Sequence, residues 1–344
     1  MTLLEITDLQ TQFETSEGRV HAVDGVNLSL EANESLGIIG ESGSGKTTIA
    51  KSIVRLLPDN GEIVDGEVRY DGDDITEYSD RQLRKQIRWN EIAVIPQNAM
   101  NGFDPVYTVG DQIVEVITAH TDTPNDEAME RAKSLFQTLG IDEDRVHDYP
   151  HQFSGGMAQR AMIALALALD PSLLIADEPT TALDVMIQDR ILHRIQELQD
   201  ELDTAMIFIT HDMSVVSETC DKIAVVYGGR IVEFADTETI IKNPRHPYTL
   251  GLRNAFPSIM TDDQDLVSIP GTPPPLLEPD EGCRFAPRCP FAEERCWSET
   301  PQSEPYGDGN TIECHRADEH ERIRPEASKS ETWREQEEVI EADD

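Results

Sequence analysis

The sequence predicts an α/β fold: a mostly parallel sheet covered by helices, with a helical insert and a small cysteine-rich appendage. Three observations predict it. Short apolar segments alternate with helical patterns from residue 35 to residue 226, the order that strand–helix–strand units produce. A glycine-rich loop, Gly40-Glu41-Ser42-Gly43-Ser44-Gly45-Lys46-Thr47, joins one such apolar segment directly to a helical pattern. Beyond a proline-rich stretch at 270–279, four cysteines, Cys283, Cys289, Cys296 and Cys314, fall close together.

The opening reads as strands at 3–6, 20–23 and 27–30, with Gly and Asp between them. Residues 35–39 form a short apolar strand, and 47–57 has helical spacing that stops at Pro58. Further strands are expected at 66–70 and 92–95, the latter ending at Pro96-Gln97. Helical patterns run from 109 to 139, interrupted at 121–125, where an N-cap and an acidic first turn start a new helix. A buried helix at 157–169, a buried strand at 173–176, an amphipathic helix at 185–202 and core strands at 205–209 and 223–226 complete the core. The chain therefore divides into a core domain at 1–260, with its helical insert at about 98–165, and a linker with the cysteine-rich region at 261–325. The acidic, apolar-poor end at 326–344 is expected to be disordered.

A chain of 344 residues with 38% hydrophobic content can bury a core. Its 28 Lys and Arg against 67 Asp and Glu give a net charge of −39, spread over the whole length. Such a surface repels nucleic acid phosphate and suits a high-salt cytoplasm, where counterions screen self-repulsion, so a halophilic source is expected. The longest apolar run, 161–169, is about half of a bilayer crossing, and the first residues do not resemble a signal peptide. The chain is expected to stay inside the cell and span nothing.

The chemistry lies in an ordered set of motifs. The loop glycines let successive N–H groups turn around a β-phosphate, and the helix behind them adds its positive end. Lys46 supplies a charge to the β/γ oxygens, Thr47 offers a hydroxyl to Mg²⁺, and Thr48 completes the nucleotide-binding run. Asp177 ends an apolar strand in the form expected of a Mg²⁺-holding carboxylate, and Glu178 beside it can accept a proton from, or orient, an attacking water. Gln97 can reach the γ-phosphate and metal, His211 can donate to the γ-phosphate, and Phe13 can stack on adenine. Taken singly, a strand-capping acidic pair, a loop glutamine, a packing histidine and a core phenylalanine are equally ordinary readings.

Ser154-Gly155-Gly156 can cap the helix that starts near Met157 and aim hydroxyl and N–H groups at an anion. Two anion sites on one chain imply a head-to-tail dimer, each ATP held between the glycine loop of one chain and the Ser-Gly-Gly turn of the other.

With Gln97, Ser154-Gly155-Gly156-Met157, Asp177-Glu178, Ala182-Leu183-Asp184 and His211 in this order, the chain resembles ATP-binding cassette (ABC) ATPases over roughly residues 3–240. It is most similar to the ATPase subunits of oligopeptide, dipeptide and nickel importers, through the glycine loop, residues 153–160 and 175–185, and Pro244-Arg245-His246-Pro247-Tyr248-Thr249. That resemblance implies a P-loop NTPase fold with an antiparallel β subdomain and an interface role for Asp184. It also implies that Gln97 couples ATP to membrane partners. Phe153 and Met157 replace the Leu and Gln that usually flank Ser-Gly-Gly, as in the peptide-importer subgroup.

The four clustered cysteines lack the short gap of most zinc sites, although His315 keeps zinc open. Similar tails in the family carry a [4Fe–4S] cluster, the preferred expectation, with Arg284 and Arg288 placed near its negative charge. The resemblance thus implies an ATP-hydrolysing importer subunit on the cytoplasmic face of the membrane, powering di- or oligopeptide uptake. Its partners would be a second ATPase chain (a sister or itself), two permeases and, indirectly, an extracellular binding protein. The alternatives are a nickel or other small-solute importer, a soluble ABC ATPase acting on nucleic acid or ribosomes, and a nucleotide-binding regulator without turnover.

Overall fold

The computed structural model describes all residues except 98, 180–187, 189–191, 193, 195, 198, 200–202, 256–267, 280, 308 and 344. It forms two units, one of Met1–Leu3, Leu30–Ser35 and Asp71–Ile209, the other of Leu4–Ser29, Leu36–Tyr70 and Thr210–Asp344. The chain opens with strands β1 (Thr2–Thr15), β2 (Gly18–Glu31) and β3 (Ser35–Ile39), then helix α1 (Lys46–Ile53) and strand β4 (Gly61–Tyr70).

In the second unit β2, β1 and β4 lie side by side in that order, with β1 and β4 antiparallel. The sequence suggested that the first strand stops at residue 6, because its alternation breaks there: Leu4 and Ile6 are buried, then Leu9 and Thr11. A bulge accounts for the break. The register against β4 shifts between Thr7 and Gln10, and Asp8 takes a φ of 47°. Opposite, a Cβ on Gly66 would stand 2.5 Å from Asp8 O, so the close approach requires glycine. Phe13, expected in a loop, therefore lies in β1, paired with Gly61.

The first unit carries β5 (Asp73–Asp74), a short turn α2 (Asp80–Gln82), β6 (Ile92–Ile95), α3 (Val109–His120), α4 (Asn125–Thr138), α5 (Gly155–Ala166), β7 (Leu173–Asp177) and β8 (Ala205–Thr210). Strands β6, β7 and β8 pair in parallel, Ile92 with Leu173 and Leu173 with Ala205 at the start of the ladders. Every residue of β7 and β8 is buried, which is why they read as unbroken apolar runs. Helix α3 is capped by Thr108, whose Oγ1 accepts from Asp111 N at 3.1 Å. Helix α4 has the expected acidic first turn, Asp126 and Glu127, but its N-cap is Pro124, which has no side-chain acceptor. The helix expected at 185–202 falls largely outside the described residues.

The second unit resumes with the hairpin of β9 (Lys222–Tyr227) and β10 (Arg230–Asp236), turned by Gly228 and Gly229 at φ 58° and 82°. β9 also pairs in parallel with β3. The appendage does not stand apart from this sheet. Strands β11 (Glu304–Pro305) and β12 (Thr311–Ile312) extend it beyond β10, Glu233 opposite Ile312. The proline-rich stretch is strapped to β2: His21 N–H donates to Leu276 O at 2.8 Å and Glu278 N–H to Arg19 O at 3.0 Å.

The acidic end, expected to be disordered, is helical at His320–Ala327 and Ser330–Asp343. Low average hydrophobicity concealed one anchor, Trp333, which is 2% exposed. Among the described residues, no helix is long and apolar enough to cross a membrane.

Candidate functional site

Each unit holds part of the expected site. In the second unit the glycine loop runs from β3 into α1. Gly40 and Gly45 take φ of 154° and 106°, and a Cβ would stand 2.1 Å from Val226 O at the first and 2.2 Å from Ala22 O at the second. At Gly43 a Cβ would meet nothing within 4 Å, so the loop is tight against the protein at its ends and open at its crest. Lys46 Nζ donates to Gly40 O (2.9 Å) and Glu41 O (2.7 Å). Gly229 N–H donates to Ser44 O at 2.9 Å, fixing the loop to the β9–β10 turn. Ser44 Oγ is buried without a hydrogen-bond partner among the described residues, a polar atom suited to a phosphate oxygen. Thr47 and Thr48 follow in α1, half-buried, and Ser42 is exposed.

Phe13 is half-buried with its ring against Gly61, where a Cβ would stand 2.7 Å from Phe13 Cε1. His211 is exposed just after β8, and the next residue, Asp212, caps the helix Met213–Thr219 by accepting from Ser214 N at 2.9 Å.

In the first unit, Asp177 ends β7 and is 6% exposed. Glu178 follows with a φ of 49°, a left-handed backbone that a glutamate adopts only when its surroundings impose it. Its N–H donates to Ile209 O at 2.8 Å, and Gln97 Nε2 donates to Glu178 Oε2 at 2.6 Å. Gln97, expected to face phosphate and metal, thus holds the neighbouring carboxylate. Ser154 is the N-cap residue of α5, which begins at Gly155 rather than near Met157. The expected side-chain cap is absent: its hydroxyl makes no capping bond, and Ser154 and Gly155 are exposed, with Gly156 partly so. Asp184 lies outside the described residues.

The motif at 244–249 acquires a physical reason. Glu233, fully buried in β10, accepts from Arg245 N (2.8 Å), His246 N (3.0 Å) and Tyr306 Oη (2.9 Å). His246 Nδ1 accepts from Tyr248 N at 3.0 Å and so caps the helix Pro247–Asn254. Tyr248 Oη then accepts from Glu41 N at 3.0 Å, which carries the motif to the glycine loop.

Burial holds the His246 ring down to a pKa of about 3 from 6.5. The folded state therefore keeps it neutral where the unfolded chain gains a proton, and this group's stabilising contribution, complete above 6.5, is lost as pH falls toward 3. The ring is expected to stay neutral at pH 5. Ring carbon shifts assigned to His246 should not move between pH 8 and 5, and a titration within that interval would refute the buried capping role.

The four clustered cysteines and Cys220 are all free thiols. Cys283 N–H donates to Cys296 O at 2.7 Å, and Cys314 Sγ accepts from Arg316 N at 3.4 Å. Burial pushes the Cys283 thiol up to about 11 and Cys314 to about 12, and raises Cys289 well above its usual value. Among the described residues, no three His, Cys, Asp or Glu side chains converge to hold a metal ion, and His315 Nε2 lies 2.7 Å from Glu299 O. Arg284 and Arg288, expected to lie near a cluster's negative charge, pair with Asp24 and Glu41. Nothing in the local sequence signals these pairs, because the partners are 260 and 247 residues apart.

Comparison with known proteins matches residues 23–181 to the ABC transporter family and residues 232–296 to the oligopeptide/dipeptide transporter C-terminal region. A probable peptide ABC transporter ATP-binding protein, y4tR of Sinorhizobium fredii, is 47% identical over 321 residues, covering 92% of this chain and 96% of its own. The dipeptide transport ATP-binding protein DppD of Lactococcus lactis is 46% identical over 302 residues, covering 87% and 86%. Among solved structures, the dimeric post-hydrolysis state of the ATP-binding cassette MJ0796 bound to ADP and Pi matches with a TM-score of 0.62 and 26% identity, over 68% of this chain and 98% of that one.

Proposed function

The chain belongs to the ATP-binding subunits of ABC transporters that carry the oligopeptide/dipeptide C-terminal region, and from this we propose that it hydrolyses ATP to power uptake of di- and oligopeptides. The observation that carries the reading is Glu178 at the end of β7, beside Asp177 and held by Gln97. A carboxylate so oriented takes a proton from, or aligns, the water that attacks the γ-phosphate.

The other roles follow from residue chemistry. Lys46 leaves its two carbonyls for the β/γ oxygens, the loop N–H groups surround the β-phosphate, and His211 donates to the γ-phosphate. Phe13 stacks on adenine. The carboxylate of Asp177, the hydroxyl of Thr47 and the amide oxygen of Gln97 are hard oxygen donors that suit Mg²⁺. When bound, Mg²⁺ offsets the charge of the β/γ oxygens. Ser154, Gly155 and Gly156, exposed at the start of α5, serve the nucleotide of a second ATPase chain, identical or a sister, and Asp184 sits at that interface. Two permeases complete the assembly at the cytoplasmic face of the membrane, with a binding protein outside that selects cargo. The net charge of −39 supports a high-salt cytoplasm as its setting and weighs against a nucleic acid partner.

The test is uptake. Cells that lose labelled tripeptide uptake when Glu178 is replaced by Gln support the reading; loss of nickel uptake with intact peptide uptake would redirect it.

From the resemblance to family tails that carry one, we propose a [4Fe–4S] cluster on the four neighbouring thiols of the appendage, whose spacing lacks the short gap of most zinc sites. As placed, the thiols do not form a ligand set, so cluster binding requires them to converge. Anaerobically purified protein is expected to be brown with a broad band in the visible blue, and a colourless, zinc-containing preparation would refute the assignment.

A further inference from the structure

The appendage reaches the glycine loop through the Arg288 guanidinium. Arg288 Nη1 and Nη2 donate to Glu41 Oε2 (2.6 Å) and Oε1 (2.9 Å), a bidentate pair in which the arginine side chain is 4% exposed. The guanidinium is itself fixed, by Nε to Pro270 O at 2.7 Å and Nη1 to Tyr227 Oη at 3.3 Å. Glu41 is the second residue of the loop, and the protein holds it at three points. Its N–H donates to Tyr248 Oη, its carboxylate takes Arg288, and its carbonyl supports Lys46 Nζ. A parallel grip comes from Arg284, which donates to Gly228 O and, at 2.5 Å, to Asp24 Oδ2, steadying the turn whose Gly229 N–H holds Ser44 O.

A carboxylate at this position opposes the binding of a triphosphate in a chain whose net charge is already −39. Paired bidentately with a buried guanidinium, the same carboxylate is neutralised and becomes a fixed post for the loop. We propose that Arg288 is a positioning residue for ATP, holding Glu41 neutralised and in place so that the loop backbone is preformed for the triphosphate. The appendage thereby sets nucleotide affinity without touching the nucleotide. This rests on the glycine loop being the ATP site.

The pairing acts on binding and leaves the hydrolytic carboxylate of Glu178 alone, so its loss should appear in KM rather than kcat. In the full chain, Arg288→Ala is expected to raise KM for ATP, and Kd for a fluorescent ATP analogue, by about tenfold or more, with kcat within about threefold of wild type. Arg288→Lys keeps the charge without the fork and should fall between. The decisive variant is Arg288→Ala with Glu41→Gln. Removing the orphaned charge should lower KM clearly below that of Arg288→Ala, though not fully to the wild-type value because the post itself is lost, whereas a merely structural arginine would not be rescued by a change at residue 41. An unchanged KM in Arg288→Ala, or a double variant no better than the single, overturns the proposal. Should Arg288→Ala not fold, an unchanged KM in Arg288→Lys overturns it equally. Lys46→Ala separates the two readings: if wild type and Lys46→Ala bind the analogue alike, the ATP site itself is misassigned.

Discussion

Replacing Glu178 by Gln is expected to lower ATP turnover by about 10²–10⁴-fold while leaving ATP binding close to wild type. The substitution removes only the capacity to take a proton. The amide is nearly isosteric, its oxygen can still accept from Gln97 Nε2, and the backbone, already at φ 49° and tied to Ile209 O, has no new strain to absorb. Mg²⁺ and triphosphate binding are assigned to other residues, so binding and turnover should separate. Turnover measured alongside the affinity for a fluorescent ATP analogue makes the distinction. Turnover retained within about threefold would exclude Glu178 as the base and favour a nucleotide-binding regulator. Loss of both together would place Glu178 in binding. The same variant, trapped with ATP, should accumulate as a dimer in which Ser154 crosslinks across chains to the nucleotide.

Replacing Trp333 by Ala should destabilise the fold by about 3–5 kcal/mol, the usual range for deleting a buried large aromatic. The indole is 2% exposed, and its Nε1 donates to Ala327 O at 2.8 Å, an oxygen that also accepts from the buried Asn254 Nδ2 at 3.0 Å. The ring lies so close to the helix Pro247–Asn254 that a Cβ at Gly251 would stand 2.9 Å from Trp333 Cη2. Truncation therefore opens a cavity against a rigid wall and removes one of the two bonds to Ala327 O. Denaturant unfolding of the full chain reads the cost. A change below about 1 kcal/mol would mean that the terminal helix is not docked and that the disorder expected from its composition is correct.

That composition shows where reading a sequence fails. Residues 326–344 are acidic and sparse in apolar side chains, and average hydrophobicity says they cannot form a core. They do not need one of their own, because Trp333 borrows the surface of a helix about eighty residues upstream. A lone tryptophan in an acidic helix was the available signal. The appendage misled in a similar way: two-residue strands such as β11 and β12 have no readable period and exist because β10 offers an edge. The break at Asp8 hid half of β1, since a bulge reverses which face alternate residues take.

What the sequence determined by itself is what short-range physics dictates. Glycines where only glycine fits, a lysine and threonines at a helix start, and apolar strands ending in a carboxylate are local demands, written in adjacent residues, and they carried the family and the set of residues expected to bind nucleotide. Only the tertiary structure decided that Arg288 pairs with Glu41, that Gln97 holds Glu178, that Ser154 leaves its helix uncapped by its side chain, and that the tail is docked. An ion pair or hydrogen bond between residues 81 or 247 positions apart depends on where the chain path brings two side chains together. No window of sequence contains that path.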